Sequence, residues 1–248
     1  MNLPKILVCS PTAKVKNYCF DEWLDNVMSF DYPNYEVRLY DNTDDNGKNA
    51  SILNQKYQKK YGYDKKFFAY NSLVKNNAQK TKSVIEKMCI SHNDCRNYAI
   101  ENNFDYMLHL ESDVFPDKHI INKLLLHNKK VVGAIYYRDE GRYRKPMLQR
   151  RVHIINSHII SMNFDSTEDI HFIDGTLKDI AHIGLGCVLI KANVFKSIPF
   201  RFVKNVGMHP DTYFAEDCFR NKITIFADTS CIARHENQAW GLFGLNYN

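Results

Sequence analysis

Short apolar runs alternating with helix-period stretches mark the first half of the chain. Lys5–Cys9 (KILVC) is apolar and is closed by Ser10-Pro11, the pattern of a buried strand running into a loop. Tyr35–Tyr40 (YEVRLY) alternates until the turn-forming DNTDDNG stops it, and Lys66–Tyr70 reads as a further short strand. Asn49–Tyr61 has the composition of a polar helix. The strongest helical pattern is Thr81–Asn102, where Val84/Ile85, Met88/Cys89, His92, Cys95/Arg96 and Ala99 recur at three- and four-residue intervals. A strand over Tyr106–Leu110, a helix from Pro116 to His127 with proline at its start, and a strand over Val131–Tyr137 follow.

The second half is less regular. Arg138–Arg151 (RDEGRYRKPMLQRR) is basic and turn-rich, and a polar stretch continues to Asp179. HIGLGCVLI (182–190) predicts a strand, KANVFKSI (191–198) a short helix, and Ile223–Ala227 another strand. Strands alternating with helices predict an α/β fold, a mostly parallel central sheet flanked by helices, in a single domain over 1–248.

The chain has 248 residues, 44% of them hydrophobic and 13% aromatic, enough apolar material for a sizeable core and against disorder. A net charge of +5 suits an anionic small ligand and permits weak nucleic-acid contact without selecting either. Seven scattered cysteines with no CxxC read as reduced thiols in a cytoplasm. The first apolar run is shorter than the roughly 7–15 residues of a signal-peptide core. No run reaches the roughly 20 residues of a membrane span. The expected location is cytoplasmic, with any membrane contact peripheral.

The candidate chemistry begins where the apolar run Tyr106–Leu110 ends in Glu111-Ser112-Asp113. In extended chain Glu111 and Asp113 point the same way, with Cα atoms roughly 6–7 Å apart. Ligands of open α/β sheets sit outside the carboxyl ends of strands. Two carboxylates there repel unless a cation lies between them, which a hard divalent metal bridging to a diphosphate would supply. The competing plain reading is a loop start, with Ser112 or Asp113 capping the helix near Pro116.

Further motifs follow in a fixed order: Ser10-Pro11-Thr12 after the first strand, RLYDNT with Asp41, Arg96-Asn97 on the long helix, HIGLGCVLIKANVF, FAEDCF with Glu216-Asp217, and ITIFADTSCIARH ending at His235. Together with Glu111-Ser112-Asp113 in the place of a DxD motif, they resemble a GT-A-fold glycosyltransferase of the family-2-like kind. The resemblance spans about residues 4 to 236. It implies a Rossmann-like GT-A domain, with 1–113 as the nucleotide-sugar-binding half and 114–248 as the acceptor-binding and catalytic half.

For individual residues the resemblance implies the following. Pro11, Thr12, Asp41, Arg96, Glu111 and Asp113 would bind the donor, Asp41 at the nucleoside base and Arg96 near the phosphates. Asp113 and His235 would hold a divalent metal, Mn2+ or Mg2+. Glu111, a methylene longer than the family's aspartate, would face the ribose or a metal-bound water. Asp217 would be the general base, with Glu216 orienting the acceptor. One base acting opposite the leaving group implies inversion at the anomeric carbon.

The implied activity is a metal-dependent hexosyltransferase type of reaction from a UDP- or GDP-sugar to a hydroxyl, with a glycan as the default acceptor. Modified bases in DNA are an alternative acceptor, and a nucleotide-sugar-binding module without turnover is an alternative function. The basic segment 138–151, with Arg138, Arg142, Arg144, Lys145, Arg150 and Arg151 among Tyr136, Tyr137 and Tyr143, reads either as a solvated loop or as a flap over the diphosphate.

Overall fold

A computed structural model describes residues 3–64, 66–140, 143–156, 158–163 and 169–236. Eight strands form the central sheet. In chain order they are β1 (Ile6–Thr12), β2 (Tyr35–Asp41), β3 (Phe67–Asn71), β4 (Tyr106–Leu110), β6 (Val131–Ile135), β11 (Leu177–Ile180), β13 (Cys187–Lys191) and β14 (Ile225–Ile232). Across the sheet they are ordered β11-β14-β6-β13-β4-β1-β2-β3. β13 runs antiparallel to β4 and β6, and β11 antiparallel to β14, while the remaining pairings are parallel.

The period of two along each strand splits the core into two layers. Ile6, Val8, Leu108, Leu110, Val132 and Ala134 face one cluster, with Trp23, Leu24, Leu53, Tyr57 and Leu124 of the covering helices α1 (Phe20–Met28), α2 (Lys48–Tyr61) and α5 (Ile120–Leu126). Leu7, Cys9, Met107, Val131 and Ile135 face the other. There they meet Cys95 and Ala99 of α4 (Val84–Glu101), Phe195 of α7 (Ala192–Ser197) and Phe214 of α8 (Pro210–Arg220). Covered on both faces, β1 is buried along all seven residues, as a parallel strand of this kind must be.

Several expected elements differ in extent. The helix anticipated from Pro116 begins at Ile120, because residues 116–119 form a turn in which the backbone N–H of His119 donates to Asp117 Oδ1. The strand anticipated over Val131–Tyr137 breaks after Ile135, and Tyr137 opens a new one.

The basic segment is mostly ordered strand: β7 (Tyr137–Glu140) and β8 (Tyr143–Pro146) form a hairpin, and β9 (Leu148–Ile155) pairs with β10 (His158–Asn163) and β12 (His182–Ile183). Arg142 lies outside the described residues. The run 182–190 is two strands, β12 and β13, parted at Gly184-Leu185-Gly186 by the ring of Tyr136. A Cβ on Gly184 would lie 2.3 Å from the Tyr136 hydroxyl, and one on Gly186 2.3 Å from Tyr136 Cζ. Two further short strands, β5 (Val114–Phe115) and β15 (Arg234–His235), pair antiparallel above the sheet. Among the described residues no helix is long and apolar enough to cross a membrane.

Tyr136 is 1% exposed, so Gly186→Ala forces the ring or the backbone to shift. Overpacking of this kind costs about 1–3 kcal/mol, and the thermal midpoint should fall by roughly 3–10 °C. An unchanged midpoint would mean the ring has room to move.

Candidate active site

The carboxyl ends of β1 and β4 lie side by side and carry the site. Thr12 and Ser112 join the two ends through a hydroxyl–hydroxyl bond of 2.7 Å. Ser112 is thereby turned toward β1, and Glu111 and Asp113 are left on the other side of the bend. The helix-cap reading of the triplet fails here, because Ser112 is bonded to β1 and the Asp113 carboxylate to Lys16. The indole N–H of Trp23 and the Gly186 carbonyl hold Glu111 by its backbone.

His235 reaches the site through β15, which sets it directly opposite Val114 in β5. Its Nδ1 lies 2.9 Å from the Tyr137 carbonyl, so Nδ1 is the protonated donor and Nε2 points at Asp113. The Nε2–Asp113 Oδ2 distance is 3.7 Å, an ion-pair separation longer than a hydrogen bond. Tyr136 backs the imidazole edge-on at 5.2 Å. Burial disfavours a charged imidazole at His235, but the facing Asp113 and Glu111 carboxylates outweigh it and raise its pKa.

Glu111, Asp113 and His235 bring one ligand atom each to within 4.8 Å of one another. Asp113 Oδ2 and His235 Nε2 are buried with no hydrogen-bond partner among the described residues. Buried polar atoms are rarely left so, and two carboxylates with one imidazole are a donor set that suits a divalent ion. The residues therefore fit the metal that the sequence implied.

Sequence reasoning missed Lys16. It lies in a short 3-10 helix, Lys14–Cys19, just beyond β1. Its Nζ donates to Asp113 Oδ1 at 2.8 Å and to Glu111 Oε2 at 3.2 Å. Burial opposes its charge, but the two carboxylates win and hold its pKa above the ordinary lysine value. Asp113, also opposed by burial, is held below the usual carboxylate range by Lys16 and His235. The only available signal was position: a lysine in the loop beyond a strand's carboxyl end, where anionic ligands sit.

A cavity of about 260 Å³ opens beside the cluster, lined by Glu111, His235, Tyr136, His182, His209 and Asp211 among others. Asp211 is in the first turn of α8, behind Pro210. Its Oδ1 accepts the Thr212 backbone N–H at 2.7 Å, and its Oδ2 faces His182 Nε2 at 3.6 Å. Burial alone would raise its pKa, but His182, His209 and the Thr212 amide hold it down to about 2. Deeper in the same wall, His92 Nδ1 and His109 Nε2 are 2.7 Å apart, and His109 Nδ1 donates to the Leu185 carbonyl. Burial pushes His109 down to about 4 and His92 well below the ordinary value, so both are neutral at pH 7.

The other anticipated residues lie elsewhere. Pro11 is buried within β1 opposite Tyr40. Asp41, fully buried, accepts from the Thr43 amide and hydroxyl, Asn49 and Asn71, and so shapes the loop after β2; burial nevertheless raises its pKa. Arg96 turns away from the acidic cluster: its guanidinium donates to the Phe195 and Lys196 carbonyls at the end of α7. Asp217 and Glu216 are ion-paired to Arg201, and Glu216 also to Arg220. Neither lines the cavity that holds the acidic cluster; Glu216 borders a second one.

No family model matches the sequence, and no curated protein matches it either. Solved structures do. Residues 1–349 of S. aureus TarS in complex with UDP match 95% of this chain and 62% of that chain, at 14% identity and a TM-score of 0.55. GalNAc-T7 with UDP, GalNAc and Mn2+ matches 94% of this chain and 44% of that one, at 9% identity and a TM-score of 0.60. The chain thus spans under two thirds of the length of both. At such identities the likeness is one of fold, and the chain has the GT-A fold.

The folded-state pKa of Asp211 lies below its unfolded value near 3.9. Its ionised form therefore stabilises the protein above about pH 4, and that contribution disappears as pH falls toward 2. The shift corresponds to about 2 kcal/mol. Between pH 4.5 and 2, urea unfolding of Asp211→Asn should show an acid loss smaller than wild type by that amount. Superimposable acid limbs would remove the His182–Asp211 interaction.

Proposed function

We propose that the chain is a glycosyltransferase that moves a sugar from a nucleotide-diphosphate sugar, UDP-linked in the first instance, to a hydroxyl of a glycan acceptor. The observation that carries this reading is the cavity lined both by Glu111 and His235 of the Glu111–Asp113–His235 cluster and by Asp211. The UDP in the TarS and GalNAc-T7 structures, and the Mn2+ in the latter, support the choice of donor and ion.

Asp113, Glu111 and His235 would hold the divalent ion, manganese or magnesium, which when bound supplies positive charge to the departing diphosphate. Thr12 and Ser112 fix the strand ends that present the carboxylates. Pro11 and Asp41 would form the donor-side wall by shaping the backbone around the base. Arg96 then acts by fastening α7 to α4, outside the donor site.

The base role expected of Asp217 passes to Asp211, because Asp217 is engaged by Arg201 while Asp211 faces the cavity. Ionised at neutral pH, Asp211 would accept the acceptor hydroxyl proton. The acceptor oxygen bonds to the anomeric carbon as the bond from that carbon to the diphosphate oxygen breaks, and a single displacement of this kind inverts the centre. His182 and the Thr212 amide would orient the carboxylate for this.

Asp113→Asn should abolish the metal-dependent thermal shift given by UDP. Ligand at about 100 times its dissociation constant stabilises by roughly 2.7 kcal/mol, which is readily seen. A manganese-dependent shift retained in that variant would remove Asp113 from the site.

Asp211→Asn should keep UDP-sugar binding while release of UDP from the sugar donor falls roughly 10²–10⁴-fold, the usual worth of a general base. Asp217→Asn should stay close to wild type. The reverse pattern would return the base to Asp217, and no UDP release from the wild type with any acceptor would favour a binding module.

A further inference from the structure

The cluster that fits a divalent ion already holds a cation of the protein's own. Lys16 Nζ lies 2.8 Å from Asp113 Oδ1 and 3.2 Å from Glu111 Oε2, with its side chain 19% exposed and that of Asp113 at 0%. The opposite half of the cluster, Asp113 Oδ2 and His235 Nε2, makes no hydrogen bond among the described residues, the two atoms facing each other at 3.7 Å. One carboxylate thus offers one oxygen to an ammonium and the other to whatever else arrives.

A divalent ion bound at about 2.0–2.2 Å from these ligands would sit within a few ångströms of the Lys16 ammonium. At that separation, in a buried site, the repulsion between the two cations is large. Neither Glu111 nor Asp113 can give its full charge to the ion while Lys16 keeps its place. Lys16 is also at the carboxyl end of β1, beside the place a diphosphate must occupy if the proposed function holds, and a phosphate oxygen is a ready alternative partner for an ammonium.

We propose that Lys16 is a resident counter-ion that opposes divalent-metal binding until a nucleotide diphosphate draws its ammonium away, so that metal and nucleotide bind cooperatively. The inference rests on the reading of the site as a nucleotide-sugar site. It concerns a coupling between ligands: by linkage, the factor by which UDP strengthens metal binding equals the factor by which metal strengthens UDP binding.

The test is a Mn2+ titration of the full chain followed by the electron paramagnetic resonance of the free ion, with and without UDP. Wild type should bind Mn2+ weakly alone and at least 10-fold more tightly with UDP. Lys16→Met should bind Mn2+ alone at least 10-fold more tightly than wild type, and most of the gain from UDP should vanish. Lys16→Arg, which keeps the charge, should remain weak without UDP.

Equal or weaker Mn2+ affinity in Lys16→Met, beside metal-dependent UDP binding, would overturn the role of Lys16 and leave the proposed function standing. UDP binding indifferent to Mn2+ in both proteins would overturn both. Should Lys16→Met not fold, the wild-type protein decides. The side-chain ammonium resonance of Lys16, protected by its two ion pairs, should shift or vanish as Mg2+ and UDP are added together, and a resonance unchanged at saturation would overturn the proposal.

Discussion

Two negative charges held together where water is scarce are the constraint around which this molecule is arranged. A strand that ends in Glu111-Ser112-Asp113 puts both carboxylates on one side of the chain, and burial of Asp113 makes their mutual repulsion costly. Charge has to be returned from elsewhere. Lys16 returns it from the 3-10 helix after β1, and the His235 ring, brought in by β15, faces Asp113 Oδ2 at 3.7 Å. The hydroxyl bond between Thr12 and Ser112 keeps the first of these sources in register, and the β5–β15 pairing does the same for the second.

The sheet explains why such an arrangement is possible. Its parallel strands are covered on both faces, and at their carboxyl ends the loops after β1, β4 and β6 meet the one that leads into β13. The antiparallel β13 matters most for the cavity. Its approach through Gly184-Leu185-Gly186 lets the Tyr136 ring lie against bare backbone, with the Gly186 amide donating to the tyrosine hydroxyl at 3.0 Å. Tyr136 in turn backs His235. The floor of the cavity and the orientation of the imidazole therefore share one buried ring.

Much of this was legible in the sequence because it rests on period and position. The alternation of short apolar runs with the Thr81–Asn102 pattern carried the α/β architecture, and the acidic triplet at a strand's end marked the site. What was not legible depended on which way a side chain faces. Asp211 and Asp217 lie on one helix, six residues and about 120° apart around its axis. The paired letters Glu216-Asp217 drew attention to the face that binds Arg201. Arg96 misled in the same manner, since nothing in its neighbours showed that the guanidinium would close the end of α7. Lys16, in a 3-10 helix of only six residues, has no periodicity to betray it.

The two-residue pairing of β15 with β5 has a bearing on how the molecule is made. It joins positions roughly 120 residues apart in the chain, a contact of high order. During synthesis the carboxylates of β4 emerge long before the imidazole that faces them, while Lys16 has emerged earlier still. The nascent chain thus passes through a stage in which the acidic pair has a lysine at hand and no histidine, with its charge balanced from within until the C-terminal segment arrives.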